Sequence, residues 1–342
     1  MRALTIRKAL TAVLILVLGV GCVLAVKSSD GLRSWIEAMA QENRQAAESA
    51  APETPTGPVA PVSSTESLPP FPEQVEVPET PAPPKEPEPS PVVLPTTIEG
   101  GMVIRNSTSF EVDLNALVAA GPSQVLPASG VQVLIVHTHG SESFTPDGEY
   151  NYAMTDAYHT ADTNFNVVRL GDELKAAYES FGLTVIHDRG IYDTPSYAGS
   201  YGRTASVIEY YLSQYPEIAV VIDLHRDALG DGDVVYKTVA ETDGQASSQI
   251  MMLVGTGENS IENPHWQENL KLALYMQSAI VNKYPSLARP ITLSKDRYNH
   301  GLTTGSLILE VGSSGNTLGE ALNAVRLFAD ATGPALFELS GA

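Results

Sequence analysis

The chain has 342 residues, with 40 acidic side chains against 20 basic ones and a formal net charge of -20. That balance argues against nucleic-acid binding, which needs clustered Lys and Arg opposite phosphate, and against anionic lipid headgroups as a target of the soluble part. The single cysteine, Cys22, lies in the apolar N-terminal segment, so one chain can build neither a disulfide framework nor a thiolate metal site.

Arg2, Arg7 and Lys8 precede an apolar run from about Ala9 to Val26. About 18 apolar residues suffice to cross a bilayer as a helix. The positive flank stays cytoplasmic, which puts everything after Lys27 outside the cell. A cleaved signal peptide would have a similar but shorter core. No small-x-small cleavage site follows, so residues 1–28 read as a retained membrane anchor. Cys22 is a poor lipoprotein site, with Gly19 standing where a larger aliphatic is expected.

Residues 29–96 read as a linker. A short polar helix is possible over Ser29 to Glu48, and from Ala51 to Pro95 the composition turns to Pro, Glu, Thr, Val and Ser. Such a stretch buries too little apolar surface to offset its ordering entropy, which predicts a disordered spacer biased to polyproline II. Fully extended, it would reach about 3 Å per residue from the membrane.

Folded sequence is expected from Thr97 on, as one extracytoplasmic domain over 97–342. Val131–His137 is a β-branched apolar run and predicts a buried strand. Asn166–Phe181 has helical spacing, stopped by Gly182. Strands are predicted at Leu183–Asp188, Ile218–His225, Val234–Val239, Gln249–Val254 and Ser306–Val311. Helices are predicted at Thr204–Gln214, Asn263–Tyr284 and Thr317–Ala331. Strands alternating with helices imply an α/β fold, a mostly parallel sheet with helices on both faces.

Three polar clusters sit at the C-terminal ends of three apolar strands, the edge where open α/β sheets bind ligands. The first is His137-Thr138-His139-Gly140-Ser141-Glu142. His139-x-x-Glu142 lets an imidazole nitrogen and a carboxylate converge on one cation, and zinc takes such ligands. A helix-capping loop is the plainer reading of the same string. The second is Asp223-Leu224-His225-Arg226-Asp227, where His225 would supply a third ligand and leave a fourth position open, the catalytic zinc pattern. The string His-Arg-Asp also opens a kinase catalytic loop, but no Gly-rich phosphate loop accompanies it. The third is Glu310, an ionisable residue inside the apolar strand Leu307–Val311, costly to bury unless paired or functional. Paired, its partner would be Arg226 or Arg297. Functional, it takes a proton from the attacking water and passes it to a leaving amine. Metal-assisted amide hydrolysis follows, with no nucleophile elbow for a serine mechanism.

At these clusters the sequence resembles the stage II sporulation protein P family. The matching strings are VLIVHTHGSESF (133–144), NVVRLGDEL (166–174), DTPSYAGSYGRT (193–204), VVIDLHRDA (220–228) and LILEVGSSGNTLGEA (307–321). The resemblance covers roughly 97 to 340, and the anchor and acidic spacer fit it. It implies a relative of the zinc-dependent N-acetylmuramoyl-L-alanine amidases, whose fold is shared with zinc carboxypeptidases. It implies peptidoglycan as substrate, cleavage between muramic acid and L-alanine, and a second activity on peptide cross-links. It further implies a role in forespore engulfment beside sporulation proteins D and M. Residue by residue, His139 matches the first histidine ligand, His225 the second, and Glu310 the catalytic glutamate. For the acidic ligand the amidase pattern points to Asp162, whereas carboxypeptidase-like spacing points to Glu142, the preferred residue. His137 is the alternative to His139. Ser313 stands where the family has Gly, in a turn expected to tolerate it. The competing functions are a non-catalytic wall-binding scaffold and a zinc carboxypeptidase acting on wall peptides.

Overall fold

A computed structural model describes residues 92–94, 101–230, 234–242 and 244–341. The anchor expected over 1–28 and nearly all of the linker expected over 29–96 lie outside the described residues. Among the described residues, no helix is long and apolar enough to cross a membrane. Within the stretch read as linker, Val92–Leu94 forms strand β1. These three residues are β-branched or aliphatic and sit between two prolines, Pro91 and Pro95, which suits a short extended segment.

The core is a mixed α/β sandwich. Its strands are β2 (Ile104–Asn106), β3 (Val133–Val136), β4 (Val185–His187), β5 (Val220–Asp227), β9 (Ile250–Gly255), β10 (Ile291–Ser294) and β11 (Ser306–Ser313). They form one seven-stranded sheet in the order β2-β10-β9-β11-β5-β3-β4. Strands β4, β3, β5 and β11 run parallel, β9 pairs antiparallel with β11, and β10 and β2 follow β9. The sheet is therefore mostly parallel, as expected, with one antiparallel seam. Beside it lie β6 (Tyr236–Thr238), which pairs parallel with β1, and the hairpin of β7 (Ala240–Thr242) and β8 (Gln245–Ser247).

Helices cover both faces. They are α1 (Leu114–Ala120), α2 (Val167–Ser180), α3 (Ser200–Gln214), α4 (Trp266–Lys283) and α5 (Leu318–Glu338). On one face, Leu170, Leu174 and Tyr178 of α2, with residues of α4 and α5, pack against Val133, Ile135, Val220, Ile222, Leu224, Leu307 and Leu309. On the other, Val207, Ile208 and Tyr211 of α3 pack against Leu134, Val136 and Val221. Strand side chains alternate between faces, so these two clusters assign every residue of β3 and β5 to a side. Asp223 and His225 fall on the α3 side with Val221. Glu310 falls opposite Leu309 and Val311 in the same way, and it is the register partner of His225 across the parallel β5–β11 ladder.

The four helices predicted within the domain and the longer strands appear near their expected positions, the last helix running seven residues beyond Ala331 to Glu338, while the possible helix at Ser29 to Glu48 lies outside the described residues. What periodicity did not find are α1, β2, β7, β8 and β10, each too short to show a pattern. β5 also runs on to Asp227, so His225 lies inside the strand rather than at its last position, and Arg226 lies in the strand rather than after it.

Candidate active site

His139 and Glu142 lie in the turn that follows β3, where the backbone N–H of Glu142 donates to the carbonyl of His139 at 3.1 Å. Asp193 pins this turn from outside, accepting 2.6 Å from the Ser141 hydroxyl. Both side chains end up almost fully buried, as does His225. The ligand-capable atoms of His139, Glu142 and His225 all lie within 4.8 Å of one another. The Glu142 carboxylate sits between the two imidazoles, 3.5 Å from His139 Nδ1 and 3.3 Å from His225 Nδ1.

The other nitrogen of His225 is committed. Nε2 donates to Asp223 Oδ1 at 2.9 Å, and Asp223 is itself fixed by the Thr138 backbone N–H at 2.8 Å and the Thr138 hydroxyl at 2.6 Å. A carboxylate behind an imidazole sets the ring orientation and leaves the opposite nitrogen for a cation. Burial alone would drive the imidazole neutral, but Asp223 and Glu142 overcome it and hold His225 well above its ordinary pKa. Burial likewise opposes ionisation of Glu142, yet Arg226 and the two histidines keep its carboxyl well below the usual range. The site is thus a buried anionic socket in which a proton on His225 stands where a metal would compete for it.

Arg226 closes the back of this socket. Its backbone N–H donates to Glu142 Oε2 at 3.2 Å, while its guanidinium donates to the carbonyls of Ser143 at 3.1 Å and Tyr158 at 3.0 Å. Arg226 therefore holds Glu142 and two loops, and is not the partner of Glu310. Among the described residues Glu310 makes no ion pair, and its Oε2 is buried with no hydrogen-bond partner. Burial, reinforced by Asp227 and Glu142 against His225 and Arg226, pushes its pKa up to about 8.

The alternatives weighed on sequence separate cleanly. His137 lies on the α2 side of β3, where Nδ1 donates to the Leu224 carbonyl at 2.9 Å and Nε2 meets His187 Nε2 at 2.8 Å. Burial lowers its pKa to about 4. Strand parity puts it on the wrong face for the cluster. Asp162 is exposed and caps its own turn, accepting from Asn164 at 3.0 and 2.8 Å. Glu142 is the carboxylate brought to the histidines. Ser313 ends β11 and donates to the Tyr236 carbonyl at 2.6 Å, while the left-handed turn position is Gly312, with φ 68°. Asp223 was visible in the sequence as an interruption of an apolar strand. Its i, i+2 spacing to His225 in a strand signals a shared face. Tyr197, stacked on His139 at 4.2 Å, had no such signal.

The residues present suit a zinc ion: two imidazoles and one carboxylate, buried together, with Asp223 behind one ring and His139 Nε2 buried without a partner. The family model for stage II sporulation protein P matches residues 59–333. The chain belongs to the stage II sporulation protein P family. It is 30% identical to stage II sporulation protein P of Bacillus subtilis (strain 168) over 216 residues, 58% of this chain and 49% of that protein. The chain thus spans about half the length of that curated relative. Among solved structures it is similar to the amidase AmiC2 of Nostoc punctiforme, at 12% identity and a TM-score of 0.35, covering 60% of this chain and 95% of that one. It is also similar to the CwlD amidase of Clostridioides difficile, solved with the GerS lipoprotein, at 12% identity and a TM-score of 0.37, covering 61% and 98%. Similarities of that size assign no activity to this member of the sporulation protein P family.

Proposed function

We propose that this chain is a zinc-dependent N-acetylmuramoyl-L-alanine amidase of peptidoglycan with the associated zinc-amidase fold, able also to cut peptide cross-links. The observation that carries the reading is the buried convergence of His139, Glu142 and His225 beside Glu310, which is in register with His225 and whose Oε2 is buried without a hydrogen-bond partner among the described residues. His139, Glu142 and His225 would hold the ion. A zinc ion there supplies Lewis-acid polarisation of an amide carbonyl and makes water more acidic.

The chain's own residues do the rest. Asp223 orients His225, and Arg226 orients Glu142 through its backbone N–H and guanidinium. Glu310 has a pKa raised to about 8, near neutral pH, where a carboxyl can both accept and release a proton. It takes the proton of the attacking water and delivers it to the leaving amine. Membership of the stage II sporulation protein P family supports action in sporulation, which we extend to forespore engulfment with sporulation proteins D and M as partners. The apolar run at Ala9–Val26 and the Pro-rich stretch support a single-pass anchor and a tether that keep the domain extracytoplasmic at the cell membrane.

The test is mass spectrometry of muropeptides released from intact sacculi by the purified protein, with and without a chelator. Soluble stem peptides beginning at L-alanine, lost on chelation and restored by zinc, are expected. Release only from predigested peptide ends would point to a carboxypeptidase, and no release at all to a wall-binding scaffold.

A further inference from the structure

The stretch 193–204 carries a family string that the chemistry above leaves without a task. In the fold it forms the loop into α3, and it is tied down at several points. Asp193 accepts from the Ser141 hydroxyl at 2.6 Å, joining the loop to the turn that bears His139 and Glu142. Arg203 donates to the carbonyls of Tyr192 at 2.7 Å, Ala198 at 3.3 Å and Ser196. Its guanidinium thus clamps the backbone on both sides of Tyr197. The residue between those clamps is 61% exposed, second among the large hydrophobic residues described, yet it does not point away from the site. Its ring stacks on His139 at 4.2 Å with 24° between planes, and its hydroxyl lies 3.3 Å from His139 Nδ1. That is the same nitrogen that faces Glu142. Tyr201, the next tyrosine of the string, meets His139 edge-on at 5.4 Å and supports the ring from another side.

A fixed backbone with an exposed, weakly packed side chain is how a protein presents a group that must be able to move. A three-residue zinc site leaves a fourth position, and a phenol oxygen is a competent hard donor for it. We propose that Tyr197 is a displaceable fourth donor to the metal, its phenolate oxygen occupying the open position in the resting protein and giving way when an amide carbonyl enters. The inference rests on the zinc reading above and assigns Tyr197 a role beyond the three ligands. The tyrosine oxygen binds as phenolate, its proton released to solvent on binding; in the exchange the metal–phenolate contact breaks as the carbonyl contact forms, and the oxygen takes a proton back from water, with no change in oxidation state.

Two measurements on the full chain separate the failure of each reading. Zinc content of the wild-type protein tests the three-residue site, and Tyr197 variants test the fourth donor. Replacing zinc by copper(II) should produce a visible phenolate-to-copper charge-transfer band in the wild type. Tyr197→Phe keeps the stacking and loses the oxygen, so it should abolish that band and weaken zinc binding on the order of tenfold in chelator competition. Acetohydroxamate, a small bidentate chelating probe, should bleach the band in the wild type. A copper-loaded wild type without the band overturns the proposal, as does Tyr197→Phe with unchanged zinc affinity. If Tyr197→Ala loses zinc while Tyr197→Phe does not, the ring acts by stacking alone and the proposal fails. Equal circular dichroism spectra and melting temperatures identify variants that have kept the fold.

Discussion

Glu310 and His225 are register partners on adjacent parallel strands, and the difference between them is what the site uses. His225 is held charged or metal-ready by Asp223 and Glu142, whereas burial holds Glu310 neutral up to about pH 8. Glu310→Gln keeps the volume and removes the proton carrier. Its kcat on sacculi should fall about 10²- to 10⁴-fold, with zinc content unchanged, as measured by elemental analysis of the same preparation. Retained activity would remove Glu310 from the mechanism. The raised pKa also predicts a pH signature in metal-free protein. The folded carboxyl keeps a proton that the unfolded one releases above its usual value of 4.5. The stabilisation from Glu310 is therefore complete below that value and is lost as pH rises through about 8. Melting curves of metal-free wild type and Glu310→Gln should consequently run close together below about pH 4.5, where both side chains are neutral, and separate toward pH 8 as the wild type alone loses stability. A pH-independent difference would contradict the buried, unpaired state of this carboxyl.

At the scale of elements, the wall behind the site is made by α2 against β3 and β4. Two buried imidazoles fill that seam, His137 and His187, with His187 Nδ1 3.1 Å from Asp172 Oδ1 on α2 itself. Close approach is possible because residue 171 is glycine. A Cβ there would come within 2.7 Å of His137 Nε2 and closer still to His187 Nε2. Gly171→Ala should cost about 1–3 kcal/mol through overpacking, read from chemical denaturation, although alanine is the better helix former. A stabilised variant would mean that the seam is loose. The long elements were legible because their patterns repeat: α2, α4 and α5 each run several turns, β3 is an uninterrupted apolar run, and β5 begins as one before Asp223. β2, with three residues, and β10, with four, sit at or next to the sheet edge. Pairing, not pattern, makes them strands, and no window of sequence that short carries a period.

For the whole molecule, the proposed metal site exists only when β3, β5 and their loops are assembled, so a metal bound there would feed into global stability. Removing zinc with a chelator should lower the melting temperature, and at zinc 100-fold above Kd the linkage is worth about 2.7 kcal/mol. His139→Ala should melt like the chelated wild type and show no zinc response. A full zinc-dependent shift in that variant would displace His139 from the site. The sequence alone determined the α/β alternation, the polar residues breaking apolar strands, and the local pairings His139-x-x-Glu142 and Asp223-x-His225, because each depends on residues a few positions apart. Tertiary structure decided which of these meet. It brought His139 rather than His137 to the cluster through the turn after β3, and Glu142 rather than Asp162 through the Arg226 contact, and it brought Glu310 to His225 by seating β11 beside β5. It alone put Tyr197 against His139, since a loop clamped by Arg203 leaves no periodic trace. Spacing along the chain fixes which side of an element a residue faces; register and loop closure fix what it faces.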